Sequence, residues 1–511
     1  MYIDARKLEN DSLIEGDICI VGAGAAGISI ALEWINTPYD IILLEGGGFE
    51  YDEEIQDLYD GKTTGQKYFP LKSSRLHSYG GTTWMWAGMS SPYDNIDFTD
   101  RDWVPNSGWP ISKQDLDPFY IRTQEKLDLG AYEYNLKYWK KKLPDMNPFP
   151  LDEDVIDNKM WEHSNVKFGE KYYDALGDAK NIYQITYANV VDIQTNKNTD
   201  KVKKIVSKNH TGKTLHVKAK YFILACGAIQ NSRLLLASNS QMPKGLGNNN
   251  DLVGRHFMEH IEMVSSELNL FDSFPTSLYT VNHGITKVHG ELALTEKEQK
   301  KHKILNGTVS LMPLNIGEHR KPRIETWKNK NPLKALEFNA KHMKASYEKA
   351  LNGDRNKLTN RFQLITRMEQ APIANSRITI SHEKDKLGVP KANFHWEFSD
   401  LEKKSIRKLH QIIKEQFEKS KIGQVELLDF LKDENDKYFP KETTPGWHHM
   451  GGTRMSNNPK KGVVDLNCKV HGISNLFIAG SSCFPTSGAP NPTLTLIALS
   501  IRLSDYLKKI I

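Results

Sequence analysis

Over the first fifty positions the apolar residues fall in short runs. Asp17 to Val21 reads as a buried strand, Gly22 to Gly27 as a tight turn, Ile28 to Ile35 as a helix and Ile41 to Leu44 as a second strand. This predicts a strand-turn-helix-strand unit closed by Glu45 and Gly46-Gly47-Gly48. Farther on, Asn181 to Val206 alternates like strands, His216 to Ala225 reads as another strand, and Gln230 to Ala237 as a short helix. Glu262 to Leu314 and Arg377 to Phe398 alternate with polar turns between. Helices are predicted from Lys113, over Lys330 to Leu358, over Asp400 to Phe417 and over the apolar tail Leu494 to Leu507. The stretch from about 266 to 440 thus reads as a separate sheet carrying helices, set between pieces of an α/β fold. No internal repeat or low-complexity segment interrupts this plan.

The 511 residues, 39% hydrophobic and 26% charged, suffice for two or more buried cores. The net charge of +5 is small and its lysines and arginines are dispersed, which argues against nucleic-acid binding. The densest basic stretch, Lys137 to Lys142, reads as a solvated segment. Cys19, Cys226, Cys468 and Cys483 form no CxxC pair, so zinc, covalent haem and a disulfide framework are not expected, and a reducing, cytoplasmic setting fits. Neither a signal peptide nor a membrane span is expected.

The turn Gly22-Ala23-Gly24-Ala25-Ala26-Gly27 has the dinucleotide spacing. Gly22 permits the sharp turn, Gly24 lets backbone approach a pyrophosphate, and Gly27 lets helix and strand pack closely. The free N–H groups of the helix start face the phosphates. Glu45 stands where a carboxylate accepts ribose hydroxyls. This unit alone does not separate FAD from NAD.

The tail holds the candidate chemistry. Trp447-His448-His449-Met450-Gly451-Gly452-Thr453-Arg454-Met455 puts two imidazoles on a glycine-rich turn, and Asn491-Pro492-Thr493 opens the last helix about forty residues later. An imidazole suits proton removal from a hydroxyl at neutral pH. Pro492 at the first helical position, with a polar residue before it, is a favourable helix start. That helix N-terminus suits developing negative charge.

Five ordered segments resemble the glucose-methanol-choline (GMC) flavoprotein oxidoreductases: Tyr79 to Gly88, Leu224 to Leu235, Asn248 to His260, Met368 to Ile378, and the tail. The spelling is most similar to bacterial sugar- and aminoglycoside-oxidising members and to pyranose oxidases. Only about 265 to 365 is unmatched. The resemblance implies a Rossmann-like FAD domain built from 1–100, 155–265 and 440–511, with an inserted α+β substrate domain of mixed or antiparallel sheet from 101–154 and 266–439.

It also implies the site. His449, in His-x-x-Gly-Thr, is the catalytic base, and Asn491 orients the substrate oxygen. Cofactor contacts are expected from Gly22, Gly24, Ala25, Gly27, Glu45, Gly80, Gly81, Thr82, Trp86, Val190, Ala225, Gly227, Gly480, Ser481, Asn491, Pro492 and Thr493. Gly80 and Gly81 would let backbone approach the flavin ring. Trp84 and His448 are substrate-side candidates, and which of His448 and His449 faces the flavin stays open. Where some relatives carry a flavin-linking histidine this chain has Met85, so FAD is expected to be non-covalent. Many relatives have Asp at Gly480, which leaves that contact to backbone or to Ser481. His256, His260 and Glu262 are read as interface residues, with no metal site.

The expected reaction is oxidation of a secondary hydroxyl of a sugar, glycoside or polyol to a ketone, with hydride transfer to the flavin. The alternatives are a sterol, aliphatic or amino alcohol substrate, or a flavin subunit serving a separate electron carrier. Oxygen or such a carrier is the acceptor, and homo-oligomer formation is compatible with the sequence.

Overall fold

The computed structural model describes residues 1–279, 287–314, 359–436 and 438–511. The helix expected over Lys330 to Leu358 lies outside them. Strand Ser12–Val21 runs beside Ile41–Leu44 and Thr214–Leu224, parallel to both. Ile182–Thr186 and Tyr2–Asp4 extend the parallel arrangement on one side and Leu476–Ile478 on the other. The central strands are continuous apolar runs because both faces are covered. The first half of Thr214–Leu224 joins an antiparallel meander with Val202–Lys208 and Asn189–Thr195. Helices Ala25–Leu32, Lys113–Lys126 and Thr493–Leu507 pack together.

A second sheet is antiparallel. Its order is Gly423–Leu427, Ile261–Phe274, Thr359–Met368, Gly307–Pro313, Val288–Leu294, Ile156–His163 and Met89–Ser90. Helix Asp400–Ser420, started by a capping box between Ser399 and Glu402, buries Ile406, Leu409, Ile413 and Phe417 in the second core. The buried His410 links it to the sheet through the Ser266 and Thr366 hydroxyls. A small third sheet pairs Arg377–Lys384, Pro390–Trp396 and Gly61–Gly65. No helix among the described residues is long and apolar enough to cross a membrane.

Several boundaries differ from the sequence reading. Ile156–His163 belongs to the second sheet, not with the first, and Thr444–Pro445 also pairs there with Ile261–Phe274. Lys113–Lys126, read as part of the substrate region, packs on the last helix instead, where Arg122 bridges Glu33 and Asp505. Alternation reports that a strand has a wet and a dry face; it does not report which sheet it joins. The first helix starts at Ala25 rather than Ile28, with Gly24 at its cap. The last residues of the glycine turn are therefore already helical, and their free N–H groups open at the turn itself.

The register aligns the strand ends. Val21, Leu44, Leu224 and Ile478 are paired neighbours. The residues that follow them emerge together at the carboxyl edge of the parallel strands, the crevice where such folds bind ligands.

Candidate active site

At that edge the chain is stripped of side chains. Gly22 has φ 104°, and a Cβ there would lie 2.7 Å from the Ala225 carbonyl oxygen. A Cβ on Gly27 would lie 1.8 Å from the Gly22 carbonyl oxygen, so helix and strand meet only because it is absent. A Cβ on Gly24 or Gly227 would meet nothing within 4 Å, and one on Gly480 only Ala26, at 3.9 Å. Space is thus kept open above these three glycines. Gly80 donates its N–H to the Ala23 carbonyl at 2.8 Å, which carries the second glycine turn onto the first. A Cβ on Gly81 would come 3.2 Å from Gly24 Cα.

Glu45 is buried beside this space. Its carboxylate accepts the N–H groups of Ala23 and Gly47, each at 2.9 Å. Burial pushes its pKa up to about 7, against those backbone bonds. His77 lies 3.9 Å from it, stacked on Tyr59, with Nδ1 3.1 Å from the Ile55 carbonyl oxygen. Burial lowers His77 to about 3, so the ring is neutral. Val190 follows Asn189, whose amide donates to the Gly46 carbonyl. Trp86 donates to the Val166 carbonyl and Trp84 to that of Tyr79, so both indole N–H groups are spent on holding the turn.

Among the described residues, two buried groups here lack partners. Arg75 has Nε and Nη1 unbonded, and its Nη2 reaches only the Tyr59 carbonyl and Gln230 Oε1, both at 3.4 Å. Burial lowers its pKa to about 10. Asn491 has a buried Oδ1 with no partner. The helix begins at Thr493, Pro492 occupies the cap, and no side chain caps it, so the Asn491 amide is not spent on the helix as the sequence suggested. An uncompensated buried polar group is costly, and a bound molecule would offset that cost. The open glycine edge, the ribose-suited carboxylate and these orphan groups fit an extended dinucleotide. Gly22, Gly24, Glu45, Gly80, Gly81, Gly227 and Gly480 would hold it.

The tail meets this edge. Gly451 and Thr453 donate backbone N–H groups to the Ser481 and Ser482 carbonyls at 3.0 Å, and the Ser481 hydroxyl donates to the His449 carbonyl at 2.7 Å. Met450 pairs with Met258. Trp447 has φ 58°, a strained value for a bulky residue, and stacks on Phe69 at 4.7 Å.

Glu259, fully buried, organises the turn. It accepts the backbone N–H groups of His448 at 2.5 Å and His260 at 3.0 Å, and the Tyr68 hydroxyl at 2.8 Å. Tyr68 in turn lies 2.7 Å from His449 Nε2. Burial raises Glu259 to about 8 and lowers His449 to about 3. On the other side, His448 Nδ1 is 3.0 Å from His260 Nδ1, and His260 Nε2 is 2.9 Å from the Gly488 carbonyl oxygen, three residues before Asn491. The loop carrying Asn491 is further held by Trp109 on Thr486, and by Thr486 on the Asp97 carbonyl, both at 2.7 Å.

Below His448 the second sheet presents a polar face. Arg367 binds Glu262 at 2.8 Å and Glu291 at 3.4 Å, and lies 5.2 Å over the Trp161 ring. His289 bridges Glu291 at 3.5 Å and His163 at 3.0 Å. Burial pushes Glu291 up, but Arg367 and His289 outweigh it and hold the carboxyl near about 2. The buried Trp161 indole N–H has no partner among the described residues.

Sequence reasoning missed Tyr68, Glu259, His289, Glu291 and Arg367. For His289, Glu291 and Arg367 the only signal was a polar side chain at a strand position, as in Val288-His289-Gly290-Glu291; Tyr68 and Glu259 lie outside strands and carried none.

Residues 372–500 match the family model described as GMC oxidoreductase. The large subunit of fructose dehydrogenase from Gluconobacter japonicus is 22% identical over 98% of each chain. The 2-methyl-1,2-propanediol dehydrogenase of Mycolicibacterium austroafricanum is 23% identical over 96% of this chain and 95% of its own. A solved formate oxidase from Aspergillus oryzae shares the fold, with a TM-score of 0.58 and 16% identity over 98% of this chain and 99% of its own. The C-terminal quarter of the chain thus matches the GMC oxidoreductase model, and over nearly its whole length the chain is similar to alcohol- and sugar-oxidising dehydrogenases.

Proposed function

We propose that this chain binds FAD without a covalent link and oxidises a secondary hydroxyl of a sugar or related polyol to a ketone. When bound, the flavin supplies two-electron acceptance as hydride. The chain's own part is to hold the substrate, take its hydroxyl proton on an imidazole of the His448-His449 pair, and steady the oxygen with the Asn491 amide. The free N–H groups at the Thr493 helix start favour negative charge gathering nearby.

The observation that carries the substrate class is the charged sheet face of Glu262, Glu291, Arg367 and His289 beside His448. A ring with several hydroxyls can pair with such groups. An apolar alcohol would strip water from these mutually paired charges and offer them no new partner, which favours a hydroxyl-rich substrate. Similarity to a fructose dehydrogenase supports the same reading. A short diol is the second reading, favoured by the equal similarity to a propanediol dehydrogenase.

The work divides between a cofactor-holding part around the parallel sheet and a substrate-facing part around the antiparallel one. Met85 stands at the linking position, and His77 is committed to Tyr59 and Ile55, which supports non-covalent FAD. Acid denaturation should release the yellow colour into solution; colour retained on the polypeptide would contradict this. The acceptor is oxygen or a separate carrier, and oxygen uptake by the isolated protein distinguishes the two. Anaerobic addition of sugars should bleach the flavin, whereas bleaching by diols alone would transfer the proposal to the second reading.

A further inference from the structure

Among the described residues the buried Arg75 guanidinium has no counter-ion: no carboxylate lies within ion-pair distance, and Nε and Nη1 make no hydrogen bond. We infer that Arg75 is one wall of a buried anion site, and that the site takes a phosphate-type oxyanion. The source is the diphosphate of a bound dinucleotide or free phosphate; the first rests on the FAD reading above, the second does not.

Two other buried arginines show what a structural guanidinium looks like in this chain. Arg101 sits on the Glu369 carboxylate at 2.8 and 2.6 Å. Arg233 holds Asp385 at 2.6 Å and also donates to the Leu58, Val389 and Pro390 carbonyls. Arg75 has nothing comparable. One of its nitrogens reaches the Tyr59 carbonyl and Gln230 Oε1, both at 3.4 Å, which is long for an N–H···O bond. Burial brings its pKa down only to about 10, so the charge persists at neutral pH. An unpaired buried charge is costly, and a bound anion removes that cost.

Arg75 is also held still. Its guanidinium lies 4.2 Å over the Tyr59 ring, and His77 stacks on the same ring at 4.0 Å. Two planar groups at those distances do not fit on one face, so Tyr59 is sandwiched between them. His77 in turn lies 3.9 Å from Glu45 and packs against Gly46 and Gly47, where an added Cβ would strike its ring and its carbonyl. The stack thus runs outward from the carboxylate of the glycine edge to Arg75. On the other side, Gln230 lies near the start of helix Gly227–Ala237, whose N-terminus no side chain caps.

The charge of the edge points the same way. Gly22 to Gly27, Glu45 to Gly48, Gly80 to Thr82, Ala225 to Gly227 and Gly480 to Ser481 contain no lysine or arginine. They offer a diphosphate backbone N–H groups and one carboxylate, but no cation. Arg75 is the unpaired cation beside them, and a guanidinium pairs with phosphate oxygens in a fixed planar geometry.

The test is binding by the full-length chain, not turnover. FAD affinity is read from the fluorescence of released flavin. Stability is read from urea unfolding of the FAD-loaded protein over a series of inorganic phosphate concentrations. If the anion is the dinucleotide's diphosphate, Arg75→Met should weaken FAD about ten- to a hundredfold, and phosphate should leave the urea midpoint of loaded wild type unmoved. If the anion is free phosphate, it should raise the midpoint of wild type but not of Arg75→Met, with equal FAD affinity in the two. Arg75→Lys keeps the charge and loses the planar fork, so it carries the comparison if the methionine variant does not fold. A severalfold fall in its affinity for FAD or for phosphate is expected, and no fall in either overturns the inference. Equal FAD affinity in wild type and Arg75→Met, with midpoints that phosphate moves in neither, also overturns it and leaves the FAD reading intact. Wild type that takes up no FAD contradicts the FAD reading instead, and the phosphate series on the flavin-free chain then decides the inference.

Discussion

The two ends of the proposed site are built from opposite materials. The dinucleotide end is backbone: four parallel strands stop at one level, and what they deliver is glycine, amide N–H groups and a single carboxylate. The chemistry end is side chains drawn from at least five segments: Tyr68, Glu259–His260, Arg367, His448–His449 and Asn491. A backbone cradle binds a constant group in one way. A side-chain network can be respelled to suit a different substrate while the cradle stays the same. The contrast predicts different failures: damage at the first end should remove cofactor, and damage at the second should remove rate.

The sharpest way to break the contrast is Gly27→Val. Its Cβ would collide with the Gly22 carbonyl, so no flavin should be retained, as judged by the ratio of visible to ultraviolet absorbance. A yellow Gly27→Val protein would contradict the backbone-built cradle.

Next is the support behind the chemistry end. Arg101 and Glu369 form a bidentate pair at 2.8 and 2.6 Å with almost no exposure, and Glu369 also holds Asn306, which binds Asp97 behind the Asn491 loop. Glu369→Ala leaves a buried guanidinium unpaired and should cost about 3–5 kcal/mol in denaturant unfolding. A cost below about 1 kcal/mol would show that the pair carries no such weight.

Asn491→Ala should retain FAD and lower the limiting rate about a hundredfold, close to 2.7 kcal/mol, because an amide aimed at a reacting oxygen acts in the transition state. Loss of flavin instead would move Asn491 from the chemistry end to the cradle.

A smaller effect is electrostatic. Burial holds Glu259 at about 8 and Glu402 at about 7, against an ordinary carboxyl value of 4.5. The folded chain therefore keeps protons that the unfolded chain releases. The stability these groups contribute is complete below 4.5 and is lost as pH rises through about 7 for Glu402 and about 8 for Glu259. Glu259→Gln should flatten that slope in pH-dependent unfolding, and an unchanged slope would exclude Glu259 as its source. Smallest is Tyr68→Phe, which removes the hydroxyl between Glu259 and His449 and should cost about 0.5–1.5 kcal/mol of stability while sparing the polar sheet face.

The same contrast explains what could be read before the structure. The turn Gly22 to Gly27, the strand Ile41–Leu44 and Glu45 were legible because each position's role follows from local backbone geometry. The imidazole pair and Asn491 were visible as motifs, but their orientation was not. Which imidazole faces the polar sheet depends on Gly488, His260 and Glu259, brought together across more than two hundred positions. Ile156–His163 fell within 155–265, given to the FAD domain by the resemblance, for a related reason: no strand was read there, and only its partner Val288–Leu294 shows which sheet it joins. The polar face of Glu262, Glu291 and Arg367 had no local signature, since each charge taken singly looks like ordinary strand surface.

The most direct test of the account is one anaerobic experiment: purified yellow protein mixed with a panel of sugars and short diols, followed by flavin absorbance. Bleaching by at least one sugar is expected in wild type, and its loss with FAD still bound when His448 and His449 are both replaced by Gln. Full FAD occupancy with no bleaching by any alcohol would contradict it.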